Sequence, residues 1–168
     1  CLPLLLSLNA QVILQDLKKT KVLFIDNFFT NYRETKIKKG QFIHSIRIPL
    51  FEKNIFKAYK VSKRFDDDIS SICAGFNLEI VKNKIQSVRI AYGGMAKIPK
   101  RAIFCEKVLL KSLINEDTIN KAKEALEKDF KPISDMRASG LYRMEVAKNL
   151  LEKCCAEIKK KKTIGLYT

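Results

Sequence analysis

The chain has 168 residues, of which 46% are hydrophobic and 30% are charged. This composition excludes a disordered chain and fits one globular domain, or two small subdomains, with enough apolar mass for a core. The 33 lysines and arginines and 18 acidic residues give a net charge of +15, which is compatible with a nucleic-acid, membrane-surface or acidic protein partner. Nucleic-acid binding is disfavoured, because the lysines are spread along the chain and do not alternate with aromatic residues on one element.

The cysteines and the histidine do not form a metal-binding motif. They are Cys1, Cys73, Cys105, Cys154, Cys155 and His44. No two cysteines have CxxC spacing, so neither a zinc site nor a complete set of iron–sulfur ligands can be assembled from them. This cysteine usage predicts reduced thiols and a cytoplasmic protein.

The chain begins with the apolar run CLPLLLSL at residues 1–8. The run is too short to span a bilayer and lacks the basic flank of a signal peptide, so we expect no membrane association. Because the run starts at a cysteine and not at an initiating methionine, we expect the chain to be part of a longer protein.

Most of the first hundred residues have the period-two hydrophobic pattern of β-strands. Residues 10–16 and 20–26 are β-branched runs on either side of a polar turn and predict a hairpin. Three further runs predict an antiparallel meander, at residues 55–62, 72–81 and 85–92. The last two are separated only by Lys82, Asn83 and Lys84, which favours a tight turn.

A separate strand is predicted at residues 42–49, where it ends at Pro49. Phe42, His44, Ile46 and Ile48 would lie on one face and Ile43, Ser45 and Arg47 on the other, which is typical of a half-buried strand. His44 is therefore interpreted as a core or sheet-face histidine and not as a catalytic residue, since no nucleophile or carboxylate motif surrounds it.

The pattern changes to a helical period after about residue 100. Asn115 is the predicted N-cap of a helix that ends before Pro132 and turns one apolar stripe inward. That stripe comprises Ile119, Ala122, Leu126 and Phe130. A second helix is predicted from about Gly140 to about Lys160, with Met144, Ala147, Leu151 and Cys154 or Cys155 facing the core. The predicted fold class is α+β, a small antiparallel sheet packed against a two- or three-helix bundle.

The stretch YKVSKRFDDDIS, residues 59–70, concentrates opposite charges at one corner. Lys60, Lys63 and Arg64 precede three consecutive carboxylates at residues 66–68. Such a corner is either a solvated turn between strands or a surface that faces a polar, electron-carrying cofactor. Composition and spacing leave both interpretations open.

Four stretches, in this order and spacing, resemble one known family. They are residues 28–49, 59–80, 89–102 and 132–153. They resemble the C-terminal part of the FAD-binding region in the xanthine dehydrogenase family, in particular the small subunit of bacterial xanthine dehydrogenases. The combination of SDMR at 134–137 with YR at 142–143 is typical of that subunit. The likeness extends from about Leu2 to about Lys153 and implies an antiparallel sheet with a helical bundle, like the C-terminal domain of the CO dehydrogenase flavoprotein.

The resemblance also implies a division of the chain and a role in electron transfer. Residues 1–48 would end the FAD-binding subdomain, and residues 49–168 would form the domain that is like the CO dehydrogenase flavoprotein C-terminal domain. Electrons would leave hypoxanthine or xanthine at a molybdopterin cofactor in a large partner subunit, cross two [2Fe-2S] clusters, and reach NAD through FAD. The clusters and the glycine-rich FAD-binding segments would lie upstream, so we expect the chain alone to be inactive and to hold FAD weakly.

Residue by residue, the resemblance assigns five cofactor-binding positions and no catalytic residue or metal ligand. Lys60 matches the lysine that contacts FAD, Ile43 matches the apolar residue that packs against it, and Phe42 lies beside it. Asp67 matches an acidic residue close to the flavin ring, and Arg33 an arginine of the same neighbourhood. Arg137 and Arg143, which flank the predicted N-cap Ser139, are instead expected to support the fold.

Two other classes of function remain open at this point. One is a flavoprotein subunit of a related molybdenum hydroxylase acting on CO, an aldehyde or an aromatic acyl thioester. The other is a non-catalytic basic domain that binds nucleic acid or protein.

Overall fold

The computed structural model describes residues 1–64 and 68–160. A short helix, α1 (Leu2–Ser7), precedes an antiparallel sheet of three strands: β1 (Gln11–Gln15), β2 (Thr20–Phe24) and β5 (Phe42–Arg47). Their spatial order is β2-β1-β5. A 3-10 turn (Ile25–Asn27) and a two-stranded ladder of β3 (Phe29–Asn31) and β4 (Glu34–Thr35) lie between β2 and β5.

The second sheet is antiparallel and has the spatial order β6-β7-β8-β9. Its strands are β6 (Asn54–Val61), β7 (Ile72–Val81), β8 (Lys84–Gly93) and β9 (Lys100–Arg101). The helices α2 (Ile103–Leu109), α3 (Glu116–Asp129) and α4 (Gly140–Lys160) follow. The α+β class, with antiparallel sheets and several helices, is therefore confirmed.

The main core lies between one face of the second sheet and the three later helices. Alternate residues of β7 and β8, such as Phe76, Ile90 and Tyr92, are buried against helix residues that include Leu126 and Leu151. Cys154 and Cys155 are both buried in this core, and burial raises the pKa of both thiols, that of Cys155 to about 11. Neutral, packed thiols of this kind are poor nucleophiles, which disfavours a redox role for the pair.

The other face of the second sheet carries α1, which approaches the strands closely because two strand residues are glycines. A Cβ atom at Gly75 would lie 2.6 Å from Ser7 Oγ and 3.0 Å from Leu4 Cα. At Gly93 it would lie 2.9 Å from Pro3 Cγ. Glycine at both positions therefore allows α1 to lie close to the backbone of β7 and β8.

Arg89 of β8 links the second sheet to α1 and to the 3-10 turn. Its guanidinium donates two hydrogen bonds to the Leu6 carbonyl, at 2.9 and 3.2 Å, and pairs with Asp26 at 2.8 Å. Leu6, Val12 and Leu14 form a smaller core together with Ala91 of β8. The first fifty residues thus pack on the side of the second sheet that faces away from the main core.

Several predicted elements are confirmed. The hairpin, the meander strands and both long helices lie within a few residues of their predicted bounds, and Lys82 and Asn83 have the positive φ values, 49° and 62°, of a type I′ turn. The Asn115 side chain accepts a hydrogen bond from Thr118 N, as its N-cap role requires. Ser139 Oγ accepts one from Tyr142 N at the start of α4.

Two helices were not predicted, and one strand was predicted wrongly. The unpredicted helices are α1, formed by the apolar run at the start of the chain, and α2. The strand β5 is exposed and not half-buried: Phe42 is 55% and Ile43 46% accessible, and His44 is also exposed. Among the described strands, β5 pairs only with β1, at the edge of its sheet, and its side chains are accessible on both faces of the strand. No helix among the described residues is both long and apolar enough to cross a bilayer.

We expect Gly75→Ala to lower the free energy of unfolding by about 1–3 kcal/mol, the usual effect of overpacking. The added methyl group would meet the backbone of α1, which cannot rotate away as a side chain could. Urea denaturation followed by circular dichroism measures the effect. The exposed β8 residue Gln86 provides the control, since Gln86→Ala should change stability by less than about 0.5 kcal/mol. Equal stability of the two variants would show that α1 does not pack on Gly75.

Candidate functional site

The four stretches that carry the family resemblance meet at one end of the second sheet. They surround an open cleft of about 840 Å³. Its lining includes Asn31 and Tyr32 of the β3–β4 hairpin, Ser70 before β7, Gly94 and residues 96–99 after β8, and residues of the segment between α3 and α4. Residues that are far apart in the sequence therefore form a single surface.

Arg143, in the first turn of α4, connects three of these stretches. It is 3% exposed, and its Nη1 donates hydrogen bonds to the Ser71 and Gly94 carbonyls at 2.5 and 2.9 Å. Its Nη2 donates to Asp135 Oδ1 at 2.7 Å. A guanidinium suits this position because its donors lie in one rigid plane and point in several directions.

Asp135 and Gly94 complete the arrangement around Arg143. Hydrogen bonds from the backbone N–H groups of Arg137 and Ala138, together with the Arg143 guanidinium, hold the pKa of Asp135 below its ordinary value. Gly94 has a φ of +85°, and a Cβ there would clash with the Ser71 carbonyl and lie 2.7 Å from Arg143 Nη1. The glycine that follows β8 is thus required by the buried guanidinium.

Of the two arginines expected to support the fold, Arg143 has that role. Arg137 is half-buried, and its Nη1 lies 3.9 Å from Asp135, which is too long for a hydrogen bond. Arg137 lines the cleft, as do Lys97 and Lys131. These two lysines were missed by the sequence reasoning because they lie in loops of no regular period, about thirty residues apart.

Part of the charged corner at residues 59–70 is neutralised internally. Asp68 accepts a hydrogen bond from Arg64 N at 3.0 Å, and its carboxylate lies 3.6 Å from the Arg64 guanidinium. The Arg64 N–H is the main cause of the lowered pKa of Asp68. Lys63 Nζ donates to the Met136 carbonyl at 2.9 Å and so joins the corner to the segment before α4. These contacts fit the solvated-turn interpretation for residues 63, 64 and 68.

Lys60 has a different environment from the rest of that corner. It pairs with Cys73 across β6 and β7, and its exposed side chain lies on the face of the sheet that faces away from the helices. Burial raises the pKa of the Cys73 thiol, and the nearby positive charge of Lys60 opposes this increase. Lys60 is thus on the same side of the second sheet as the three-stranded sheet.

The other predicted positions lie on two elements. Phe42 and Ile43 are exposed at the start of β5 in the three-stranded sheet. Arg33 lies in the β3–β4 turn with a φ of 60°, and its guanidinium carbon is 5.3 Å from the centroid of the Tyr32 ring. Asp67 lies outside the described residues. Lys60 lies on the face of the second sheet that carries the three-stranded sheet, and Phe42 and Ile43 point to opposite faces of β5 in that three-stranded sheet. Arg33 adjoins the cleft through Tyr32.

Comparison with protein-family models identifies this architecture. Residues 57–158 match the CO dehydrogenase flavoprotein C-terminal domain. The chain belongs to this family. Residues 1–51 match the FAD binding domain in molybdopterin dehydrogenase. The two matches together make the chain part of the flavoprotein FAD domain of the molybdenum hydroxylases.

Curated relatives differ in their substrates. The glyceraldehyde dehydrogenase medium chain of Sulfolobus acidocaldarius is 30% identical over 157 residues, which cover 92% of this chain and 54% of the relative. The xanthine dehydrogenase of Emericella nidulans is 32% identical over 132 residues, 76% of this chain and 10% of the relative. The chain therefore spans about half of the first relative and a tenth of the second.

Solved structures share the fold. A CO dehydrogenase from Oligotropha carboxidovorans has a TM-score of 0.83 at 23% identity, covering 89% of this chain and 52% of its own. The quinoline 2-oxidoreductase from Pseudomonas putida 86 has a TM-score of 0.82 at 20% identity, covering 96% and 56%. At these identities the likeness establishes the architecture only.

We expect Arg143→Ala to lower the free energy of unfolding by about 2–4 kcal/mol, because it leaves the Ser71 and Gly94 carbonyls without the guanidinium that donates to them. Arg137→Ala is the matched control and should lower it by less than about 1 kcal/mol, since its ion pair is long and partly exposed. Urea titrations of both variants test this. A larger loss for Arg137→Ala would reverse the two assigned roles.

Proposed function

We propose that this chain forms one wall of the FAD site in a molybdenum-dependent xanthine dehydrogenase. In this proposal electrons pass from purine hydroxylation at a molybdopterin cofactor through [2Fe-2S] clusters to FAD and then to NAD. The molybdenum-binding large subunit and the segments with the clusters are the proposed partners, and the cytoplasm is the proposed location. The observation that carries the proposal is the pair of family matches over residues 1–51 and 57–158.

The residues at the proposed wall fit the ring system of a flavin. Phe42 and Ile43 offer accessible apolar surface at the start of β5, on opposite faces of the strand. Lys60 offers an exposed cation on the face of the second sheet that carries the three-stranded sheet. Only six glycines occur in the sequence, and they do not form a loop that could cradle phosphates. The fit is therefore to one side of the cofactor, with the phosphates held elsewhere.

When bound, FAD supplies the chemistry that joins one-electron carriers to a hydride acceptor. The ammonium of Lys60 would stabilise negative charge on the flavin or its phosphates. Ile43 and Phe42 would exclude water from the ring, and Asp67 and Arg33 would adjust the electrostatics where the acceptor approaches. We place the boundary between the FAD-binding part and the C-terminal domain between residues 48 and 49.

A second candidate function is aldehyde oxidation. It is favoured by the glyceraldehyde dehydrogenase medium chain, whose alignment covers 92% of this chain. The two candidates share the flavin wall and differ in the chemistry of the molybdenum-binding partner. A CO- or acyl-thioester-oxidising assembly, or a non-catalytic basic domain, would be the remaining outcomes of the same experiment.

The experiment is a substrate panel on the assembly purified through this chain. Hypoxanthine, xanthine, glyceraldehyde and CO are each supplied with NAD and, separately, with an artificial dye that accepts electrons. We expect purine-dependent reduction of NAD. Turnover of glyceraldehyde without turnover of purines would support the second candidate, and an assembly without flavin or turnover would contradict both.

We expect Lys60→Ala to weaken FAD binding in this assembly by about tenfold, the order of one charge-assisted contact, and to change the melting temperature of the flavin-free protein by less than about 2 °C. Flavin absorbance after purification and an FAD titration measure binding. Lys84→Ala removes an exposed lysine from the far end of β8 and should leave both quantities unchanged. An unfolded Lys60 variant would assign the lysine to the fold instead.

A further inference from the structure

A second concave surface lies at the end of the second sheet that is opposite the cleft. It has a volume of about 630 Å³, and we call it the distal groove. Asn83 of the β7–β8 turn lines it, whereas the cleft adjoins Gly94 at the other end of β8. The remaining lining residues come from β6, β7, the segment before α3 and the last turn of α4. They are Ile55, Ile80, Leu113, Ile114, Asn115, Ile158 and Lys159.

The distal groove is a part of the main core that the helices leave partly uncovered. Ile80, Ile114 and Ile158 pack against buried core residues and are themselves only partly buried. Leu113 is 46% exposed. Concave apolar surface that stays accessible is typical of an interaction site.

The wall that carries Leu113 is held in place by backbone hydrogen bonds. Ile85 N, near the start of β8, donates to the Ser112 carbonyl at 3.0 Å. Lys111 N donates to the Ile85 carbonyl at 2.7 Å. These bonds fix the segment before α3 along β8, and the N-cap hydrogen bond of Asn115 holds its other end. A preformed wall of this kind loses little conformational entropy when a ligand binds.

Exposed lysines flank the apolar lining on three segments of the chain. They are Lys82 beside Asn83, Lys111 before Leu113, and Lys159 and Lys160 at the end of α4. None of these lysines forms a salt bridge with another described residue. Glu157 is buried and pairs with Lys57 at 3.0 Å, and Glu79 lies on the other face of β7. Of the described carboxylates next to lining residues in the sequence, only Glu116 is left to balance the lysines.

We propose that the distal groove binds an acidic amphipathic helix of a partner protein. Such a helix presents apolar side chains on one face and carboxylates along its flanks. The apolar face would cover Leu113 and the neighbouring isoleucines, and the carboxylates would meet the lysines. The distal groove is separate from the proposed flavin wall, because Lys60 lies at the other end of β6 from Ile55 and on the other face of the sheet.

Other occupants fit the groove less well. Ile80, Ile114 and Ile158 are recessed, so the flat surface of a bilayer would not reach them. No aromatic side chain among the described residues lines the groove, although stacking on aromatic rings supports the binding of single-stranded nucleic acids. A second copy of the chain has a net charge of +15, and residues 161–168 contain two lysines and no acidic side chain. The lysines around the groove would repel both.

The test is fluorescence anisotropy of a dye-labelled synthetic helix of about 15 residues, titrated with the purified protein. The helix has leucine at helical spacing on one face and glutamate elsewhere. At about 0.1 M salt, where the Debye length is about 10 Å, we expect a Kd below about 100 µM. Leu113→Ala should raise Kd at least about fivefold through lost apolar burial. Lys111→Gln combined with Lys159→Gln should raise it at least about threefold.

Two control variants make the same chemical changes elsewhere. Leu141→Ala removes an 87% exposed leucine from the start of α4. Lys18→Gln combined with Lys19→Gln removes two charges from the β1–β2 turn. Each control should change Kd less than about twofold. All the substituted side chains are exposed, and circular dichroism checks that every variant is folded.

The proposal is overturned if the helix does not bind below about 1 mM, if a version with glutamine in place of leucine binds equally well, or if the groove and control variants have the same effect. It is also overturned if binding first requires deletion of residues 161–168, since this chain's own end would then occupy the groove. Vesicles of phosphatidylserine and phosphatidylcholine that bind through Leu113, while the helix does not, would assign the groove to a membrane instead. None of these measurements needs FAD, so they are independent of the flavin wall.

Discussion

The buried guanidinium of Arg143 is the interaction on which the functional end of this molecule depends. It fixes the start of β7 through Ser71, the end of β8 through Gly94, and the segment before α4 through Asp135. Each partner lies in a loop that local sequence would leave free to move. One charged group therefore determines the shape of the cleft and holds Ser71 at the start of β7.

The packing of α1 provides the second constraint. Gly75 and Gly93 allow the helix backbone to approach the sheet, and Arg89 then caps it through the Leu6 carbonyl. The three-stranded sheet follows α1 and is thereby held on the side of the second sheet that carries Lys60. A flavin wall built from Lys60, Phe42 and Ile43 requires this arrangement of layers, since these residues belong to two different sheets.

Sequence periodicity predicted the elements whose signals are local. The type I′ turn at Lys82 and Asn83, the N-cap at Asn115 and the apolar stripe of α3 depend on neighbouring residues only. The helix α1 could not be predicted in this way, because its run is apolar throughout and its stability comes from Gly75, about seventy residues away. The exposure of β5 could not be predicted either, since an exposed edge strand can have the same alternation of apolar residues as a strand that faces a core.

The candidate site was predicted only in part, for a related reason. Lys60 and Ile43 were assigned through resemblance, and the structure adds that both side chains are exposed. Lys97 and Lys131 carry no signal in the sequence, because surface lysines are common in a chain with 33 basic residues. Their significance depends on Arg143, which brings their loops together with the β3–β4 hairpin around one cleft.

Hydrogen–deuterium exchange with and without saturating FAD tests the central claim, that one side of the molecule is a flavin wall. The account predicts slower exchange on FAD addition in β5 (Phe42–Arg47) and at the end of β6 near Lys60, with no change in α3 (Glu116–Asp129) on the opposite side of the second sheet. Bound FAD that leaves β5 and β6 unchanged, or that protects α3 instead, would contradict it.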